Sequence, residues 1–87
     1  MVSKKIMVHN PSGLHARPAG MLAKAAGGCK SEVTIVYGEK RIAAKSILKI
    51  MSAAIKCGSE IELQCEGENE EEDLNMLAGM IESGLGE

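Results

Sequence analysis

The 87 residues are enough for one compact domain, predicted over residues 1–87, and too few for two. With one Tyr, no Phe and no Trp, the chain has no aromatic platform on which bases could stack, which argues against a binder of single-stranded nucleic acid. Residues 1–56 hold all ten Lys and Arg with two acidic residues, and residues 57–87 hold the other ten acidic residues. Such a basic half favours docking to acidic partners over binding to nucleic acid.

The first half of the chain begins with a predicted strand and helix. Residues 2–8 loosely alternate between apolar and polar and predict a strand, and the turn-forming residues of "NPSG" (10–13) follow it. From Ala16, apolar residues recur at helical spacing until the two glycines at 27–28. Pro18 agrees with a helix start, because proline is tolerated in the first turn, where its missing N–H has no helical partner.

The rest of the chain predicts two strands, a short helix, a further strand and a last helix. Residues 32–37 and 40–44 predict strands joined by a tight turn, and Ser46 opens a short helix written "SILKIMSAA". Residues 60–66 alternate cleanly, and the acidic segment "ENEEED" (68–73) favours the start of a helix. The order is therefore βαββαβα. Strands with one polar face predict an antiparallel α+β fold with helices on the other face.

The cysteines and the apolar segments limit the compartment and the chemistry. Cys29, Cys57 and Cys65 are odd in number and lack any metal-binding spacing, so we expect free thiols in a reducing cytosol. No apolar run approaches the length of a membrane span, and the amino end is too short and polar for a signal peptide. We expect a cytoplasmic protein without a bound metal.

The segment "GLHARPA" (13–19) places a histidine directly before the first predicted helix. This position faces backbone N–H groups without helical partners and the positive end of the helix dipole, which favours a neutral, nucleophilic imidazole. An arriving phosphoryl group meets donors that already point outward, and Arg17 can add a bidentate contact to it. Gly13 keeps side-chain bulk away from the approach. His15 is therefore predicted to accept a phosphoryl group and pass it on.

Other roles of the histidines stay open on these residues alone. A histidine before a helix often serves as a cap or lies idle at the surface. Hydrolysis is poorly supported, because no Asp or Glu lies nearby in sequence to orient the ring and no metal-binding spacing exists. His9, at the end of the first strand, is interpreted as structural.

The motif "GLHARPA" resembles the active-site signature of the HPr family, the histidine-containing phosphocarriers of the phosphoenolpyruvate:sugar phosphotransferase system, in its Gram-positive type. The resemblance covers essentially the whole chain and includes "KSILKIMS" (45–52), "GSEIEL" (58–63) and "GLGE" (84–87). It implies an open-faced β-sandwich, in which a four-stranded antiparallel sheet of order 1-4-2-3 is covered on one face by three helices.

The same resemblance implies a reaction and its partners. His15 would accept a phosphoryl group from phospho-enzyme I on its Nδ1 atom and donate it to sugar-specific A domains, with Arg17 as the phosphate partner. Such a chain takes part covalently in phosphoryl transfer but does not turn over alone, and it requires no cofactor. We expect a monomer that neither binds nucleic acid nor inserts into a membrane.

Ser46 stands where an N-cap residue opens the second helix, and capping alone is a sufficient role for it. Its surroundings resemble the segment that a serine kinase/phosphorylase modifies in Gram-positive members of the family, where the phospho-form binds a catabolite-control repressor. A phosphate there adds about −1.5 to −2 charge. By resemblance, the surface around Ser46 binds partners, and the residues predicted for this role are Lys24, Lys45, Ile47, Leu48, Lys49 and Met51.

Gly20, Leu48 and Lys49 depart from the common family pattern and bring partner choice into question, including recognition by the serine kinase. A regulatory interaction module, or a specialised or nitrogen-type branch of the family, therefore stays open. An acyl carrier protein is the alternative from another class, since it also has a serine that opens a helix. It is all-helical, however, and has Asp before that serine, where this chain has Lys45.

Overall fold

The computed structural model describes residues 1–85 as a four-stranded antiparallel sheet with helices packed against it. The strands are β1 (Val2–Met7), β2 (Glu32–Tyr37), β3 (Lys40–Ala43) and β4 (Glu60–Glu66), and the helices are α1 (Ala16–Gly27), α2 (Ile47–Ser52) and α3 (Glu70–Glu82). Along the sheet the strands are ordered β1-β4-β2-β3. The predicted βαββαβα order and the implied sheet order 1-4-2-3 are confirmed. Of the "GLGE" segment, the last two residues lie outside the described residues.

Three elements end earlier than the sequence pattern predicts. β1 ends at Met7, although Val8 still exchanges backbone hydrogen bonds with the chain before β4. β3 ends at Ala43. α2 ends at Ser52, because Ala54 has a φ of 53° and cannot continue a right-handed helix.

β4 lies inside the sheet, between β1 and β2. Its register places Ile61 opposite Ile6 of β1 and Leu63 opposite Ile35 of β2, so apolar side chains of three strands meet on one face. These four side chains are buried, and Cys65 is buried with them. The alternation in residues 60–66 therefore predicts the inner face of β4 correctly.

α1 and α3 cover this face with one apolar stripe each. The buried residues of the two helices are Pro18, Ala19, Leu22, Ala23 and Ala26 in α1 and Leu74, Leu77, Ala78 and Ile81 in α3. Each Leu or Ile buried in this way stabilises the fold by about 1.5–3 kcal/mol. Among the helices of residues 1–85, none is both long enough and apolar enough to cross a bilayer.

The three cysteines are free thiols, as predicted. Cys57 is exposed, whereas Cys29 and Cys65 are buried. Burial raises the pKa of Cys65 to about 11. Burial also raises the pKa of Cys29, whose Sγ donates to the carbonyl of Ala25 at 3.4 Å, so both buried thiols stay protonated.

Two hydrogen bonds connect the first turn of α3 with the segment before β2. The buried Ser31 donates its hydroxyl to Asp73 Oδ2 at 2.6 Å, and its backbone N–H donates to the same oxygen at 3.1 Å. The hydroxyl hydrogen bond, the larger effect, holds the pKa of the Asp73 carboxyl below its ordinary value of 3.8.

Asp73→Asn is expected to weaken the dependence of the free energy of unfolding on pH in the acidic range. Because folding lowers the pKa of Asp73, its carboxylate stabilises the fold fully above the ordinary value of 3.8, and this contribution is lost as the pH falls through the lower folded-state value. In urea unfolding from about pH 6 down to about pH 2, the free energy of unfolding should fall less steeply in the variant. Glu72→Gln, on the exposed side of the same helical turn, is the control. Equal slopes in Asp73→Asn and the unsubstituted protein would contradict the expectation.

Candidate functional site

The loop between β1 and α1 brings His15 to the N-cap of α1. The residue is extended, with φ −78° and ψ −169°, and its carbonyl accepts the N–H of Ala19 at 2.9 Å. Its side chain is half-buried and makes no capping hydrogen bond to the helix. Capping, one of the roles left open by the sequence, is therefore not what the imidazole does.

The first turn of α1 places backbone donors next to this ring. The first N–H groups of an α-helix have no acceptor within the helix. Here they belong to Ala16 and Arg17, because Pro18 has no N–H and the N–H of Ala19 bonds to His15. The side chain of Arg17 is exposed. The positive end of the helix dipole, two amides and a guanidinium thus make the first turn suitable for an anion.

Gly13 and Leu14 fix the position of His15. The side chain of Leu14 is buried, and its N–H donates to the carbonyl of Ile55 at 3.0 Å. Gly13 has a φ of 67°, and a Cβ on it would collide with the Ile55 carbonyl oxygen and lie 2.9 Å from Lys56 Cα. A glycine is therefore required here by contact with another segment, in addition to any role in clearing the approach to the ring.

A shallow groove of about 330 Å³ extends from His15 towards α2. Ser12 and Lys56 also line it, and Met51 contributes the wall on the α2 side. The sequence pattern does not point to Lys56, because no local signal connects this residue with the "GLHARPA" segment. Within residues 1–85, no group of three or more His, Cys, Asp or Glu side chains is placed to hold a metal ion.

α2 presents most of its apolar side chains to solvent. Ile50 alone among its residues is buried, while Ile47, Leu48 and Met51 are 44%, 77% and 41% exposed. We call these three exposed residues the α2 surface. Since Met51 also lines the groove of His15, the α2 surface is continuous with the candidate site. An exposed apolar cluster of this kind is typical of a docking surface.

Ser46 and two of the three predicted lysines lie at the start of α2, whereas the third lysine lines a different groove. Ser46 is the N-cap of α2, as predicted, and its Oγ accepts the backbone N–H of Lys49 at 3.3 Å. Lys45 and Lys49 are exposed at the start of α2. Lys24, in contrast, lines a groove between α1 and α3 together with Met80.

The sequence matches a known family and its members. A family model described as "PTS HPr component phosphorylation site" matches residues 2–83. The chain is 39% identical to the phosphocarrier protein HPr of Treponema pallidum over 83 residues, which cover 95% of this chain and 94% of that protein. It is 38% identical to the HPr-like protein Crh of Bacillus subtilis over 94% of this chain and 96% of that protein.

Solved structures agree with the sequence comparison. HPr-C-His from Thermoanaerobacter tengcongensis has a TM-score of 0.95 to this chain at 38% identity. The match covers 100% of this chain and 98% of that one. The crystal structure of Bacillus subtilis Crh, a swapped dimer, gives a TM-score of 0.77 at 37% identity over 95% of each chain. The fold, the nearly complete family match and these identities show that the chain belongs to the HPr family of phosphocarriers of the phosphotransferase system.

Proposed function

We propose that this chain is a cytoplasmic phosphocarrier that accepts a phosphoryl group from phospho-enzyme I on His15 and passes it to sugar-specific A domains. The observation that carries the proposal is the placement of a half-buried imidazole at the N-cap of α1, where it does not cap the helix. The N–H groups of Ala16 and Arg17 lie in the adjacent turn, without acceptors inside the helix. This arrangement suits an acceptor for an anionic group.

The transfer needs only groups of the two proteins. A lone pair of the His15 ring attacks phosphorus while the bond from phosphorus to the donor breaks, so the phosphoryl group moves without oxidation or reduction. Negative charge on the phosphoryl oxygens is stabilised by the N–H groups of the first turn and by the Arg17 guanidinium. Family resemblance assigns the new bond to Nδ1. The same contacts serve the second transfer, in which the bond to His15 breaks.

Incubation with phosphoenolpyruvate and a catalytic amount of enzyme I tests the proposal. Mass spectrometry should detect one added phosphoryl group that is lost in acid, and peptide mapping should place it on His15 and not on His9. No uptake would contradict the proposal and favour the second candidate, a regulatory module that acts on other partners. The similarity to Crh, which is described as the catabolite repression HPr of Bacillus subtilis, is the observation that favours that candidate.

Arg17→Ala is expected to slow transfer from phospho-enzyme I by about 10- to 100-fold, because a charged hydrogen-bond donor to the phosphoryl group contributes about 1.5–3 kcal/mol. Arg17→Lys should restore only part of the rate, since an ammonium group cannot bind the phosphoryl group in a bidentate way. Arg41→Ala removes a charge from β3, where the guanidinium donates to Gln64, and should leave the rate unchanged. An undiminished rate in Arg17→Ala would contradict this role.

We further propose that phosphorylation of Ser46 regulates docking without changing the fold. A phosphate at the N-cap of α2 would stand beside the α2 surface, with Lys45 and Lys49 close in sequence. A partner with an acidic docking face is attracted by these lysines and repelled by a phosphoserine. The negative charge itself is tolerated at the start of a helix. A serine kinase and a catabolite-control repressor are the partners that this form would serve.

Ser46→Asp is expected to slow transfer from phospho-enzyme I by about tenfold, through weaker association, while the melting temperature stays nearly constant because Asp also caps helices. Ser46→Ala should show the reverse, with lower stability from the lost cap and an almost normal rate. Ser52→Asp, with the same charge at the other end of α2, separates a local effect from a change in net charge. Equal rates for Ser46→Asp and the unsubstituted protein would end the proposal.

We propose a monomer as the working form, because the exposed α2 surface suits transient partners. Because Crh forms a swapped dimer in its crystal structure, a dimer is the alternative that the experiment must exclude. Sedimentation at working concentration distinguishes the two states.

A further inference from the structure

We propose that Lys56 is a phosphate-binding residue of the His15 site, where its ammonium group stabilises the phosphoryl group carried by the ring. The proposal rests on the proposed function of His15. It adds a positive charge from a segment of the chain other than α1.

The backbone holds this segment beside the loop that carries His15. The N–H of Val8 donates to the carbonyl of Ser59 at 2.9 Å, and the N–H of Gly58 donates to the carbonyl of Val8 at 2.8 Å. Further along, the N–H of Leu14 donates to the carbonyl of Ile55 at 3.0 Å. Hydrogen bonds on both sides of Lys56 therefore fix its position relative to the loop between β1 and α1 that carries His15.

Lys56 directly follows Ile55, whose carbonyl oxygen would be the atom nearest to a Cβ placed on Gly13. The Cα of Lys56 would be 2.9 Å from a Cβ placed on Gly13, two residues before His15. The side chain of Ile55 is buried, whereas Lys56 is exposed and lines the same groove as the His15 ring. A flexible four-carbon stem ending in a compact cation suits an anion held at this ring.

The charges around the groove favour this use of Lys56. The residues that line the groove include no carboxylate, so no acidic side chain of the groove competes for the ammonium group. The ion pairs found within residues 1–85 join Met1 to Glu70 and Lys4 to Glu82, and neither involves Lys56. Because the side chain is exposed, solvent weakens its attraction to the phosphoryl group, and we expect an effect of about three- to fivefold.

The equilibrium constant for transfer from phosphoenolpyruvate to this chain, with pyruvate as the other product, measures the proposed effect directly. Enzyme I acts there only as a catalyst, so its affinity for the chain does not enter the constant. We expect Lys56→Gln to lower the constant by about three- to fivefold and Lys56→Arg to restore it. Lys30→Gln, an exposed charge beyond the other end of α1, should leave it unchanged.

The outcomes separate this inference from the function on which it rests. An unchanged equilibrium constant in Lys56→Gln would overturn the inference, and a slower rate with an unchanged constant would assign Lys56 to docking with enzyme I instead. Failure of the unsubstituted protein to take up phosphate would overturn the proposed function itself, and would do so for every variant alike. Urea unfolding of Lys56→Gln should match that of the unsubstituted protein, because the side chain is exposed.

Discussion

His15→Ala is expected to abolish phosphoryl acceptance, with a fall of at least about 10³-fold in transfer from phospho-enzyme I. The amides of the first turn and Arg17 stay in place, but they can only hold an anion, and the nitrogen proposed to form the bond to phosphorus is gone. The fold should persist, because the imidazole is half-buried and does not cap α1. Uptake of radiolabelled phosphate from phosphoenolpyruvate measures the loss, and urea unfolding verifies the stability.

The second histidine provides a matched control for this experiment. His9 is exposed and lies near the start of the same loop between β1 and α1 that carries His15. His9→Ala removes the same ring and should accept phosphate at the normal rate. Residual acid-labile phosphate on His15→Ala would place the acceptor elsewhere and contradict the assignment.

Gly13→Ala is expected to lower the free energy of unfolding by about 2–4 kcal/mol. The positive φ of 67° disfavours any residue with a Cβ, and the added methyl group would collide with the carbonyl of Ile55. The chain can relieve the collision only by moving the two segments apart, which breaks the hydrogen bond from Leu14 to Ile55. Since that hydrogen bond positions His15, transfer should also slow in the molecules that remain folded. Urea unfolding and the transfer rate measure the two effects.

Gly38→Ala is a control that separates the cost of the steric collision from the cost of the positive φ. Gly38 has a similar φ of 61°, and a Cβ there would meet no atom within 4 Å. We expect this control to lose only the conformational part, about 1 kcal/mol, and to transfer phosphate normally. Equal losses in Gly13→Ala and Gly38→Ala would show that the contact with Ile55 does not constrain the loop.

Much of the fold could be predicted from the sequence because its signals are local. Alternation in residues 60–66 identifies the inner face of β4, and the helical spacing after Ala16 identifies α1. The N-cap role of Ser46 follows from residue type and position. The end of α2 is not predictable from residue type, because Ala54 adopts a left-handed conformation although alanine is the strongest helix former.

The candidate site likewise combines features with local sequence signals and features that depend on tertiary contacts. The "GLHARPA" segment contains His15, Arg17 and the start of α1 within seven residues, so the histidine and its donors could be found by reading along the chain. The contact of Gly13 with Ile55 and the presence of Lys56 in the groove depend on tertiary packing. A single sequence contains no periodicity that reports such a contact.

The way α2 is attached to the core separates its proposed role in recognition from folding. The helix is attached to the core through Ile50, and the rest of its apolar surface faces outward. If the α2 surface binds partners as proposed, residues such as Leu48 and Lys49 can change partner choice without compensating changes in the interior, because both are exposed. Divergence between paralogues should accordingly accumulate on this one short helix, while the loop that carries the proposed acceptor His15 and the sheet beneath it stay as they are.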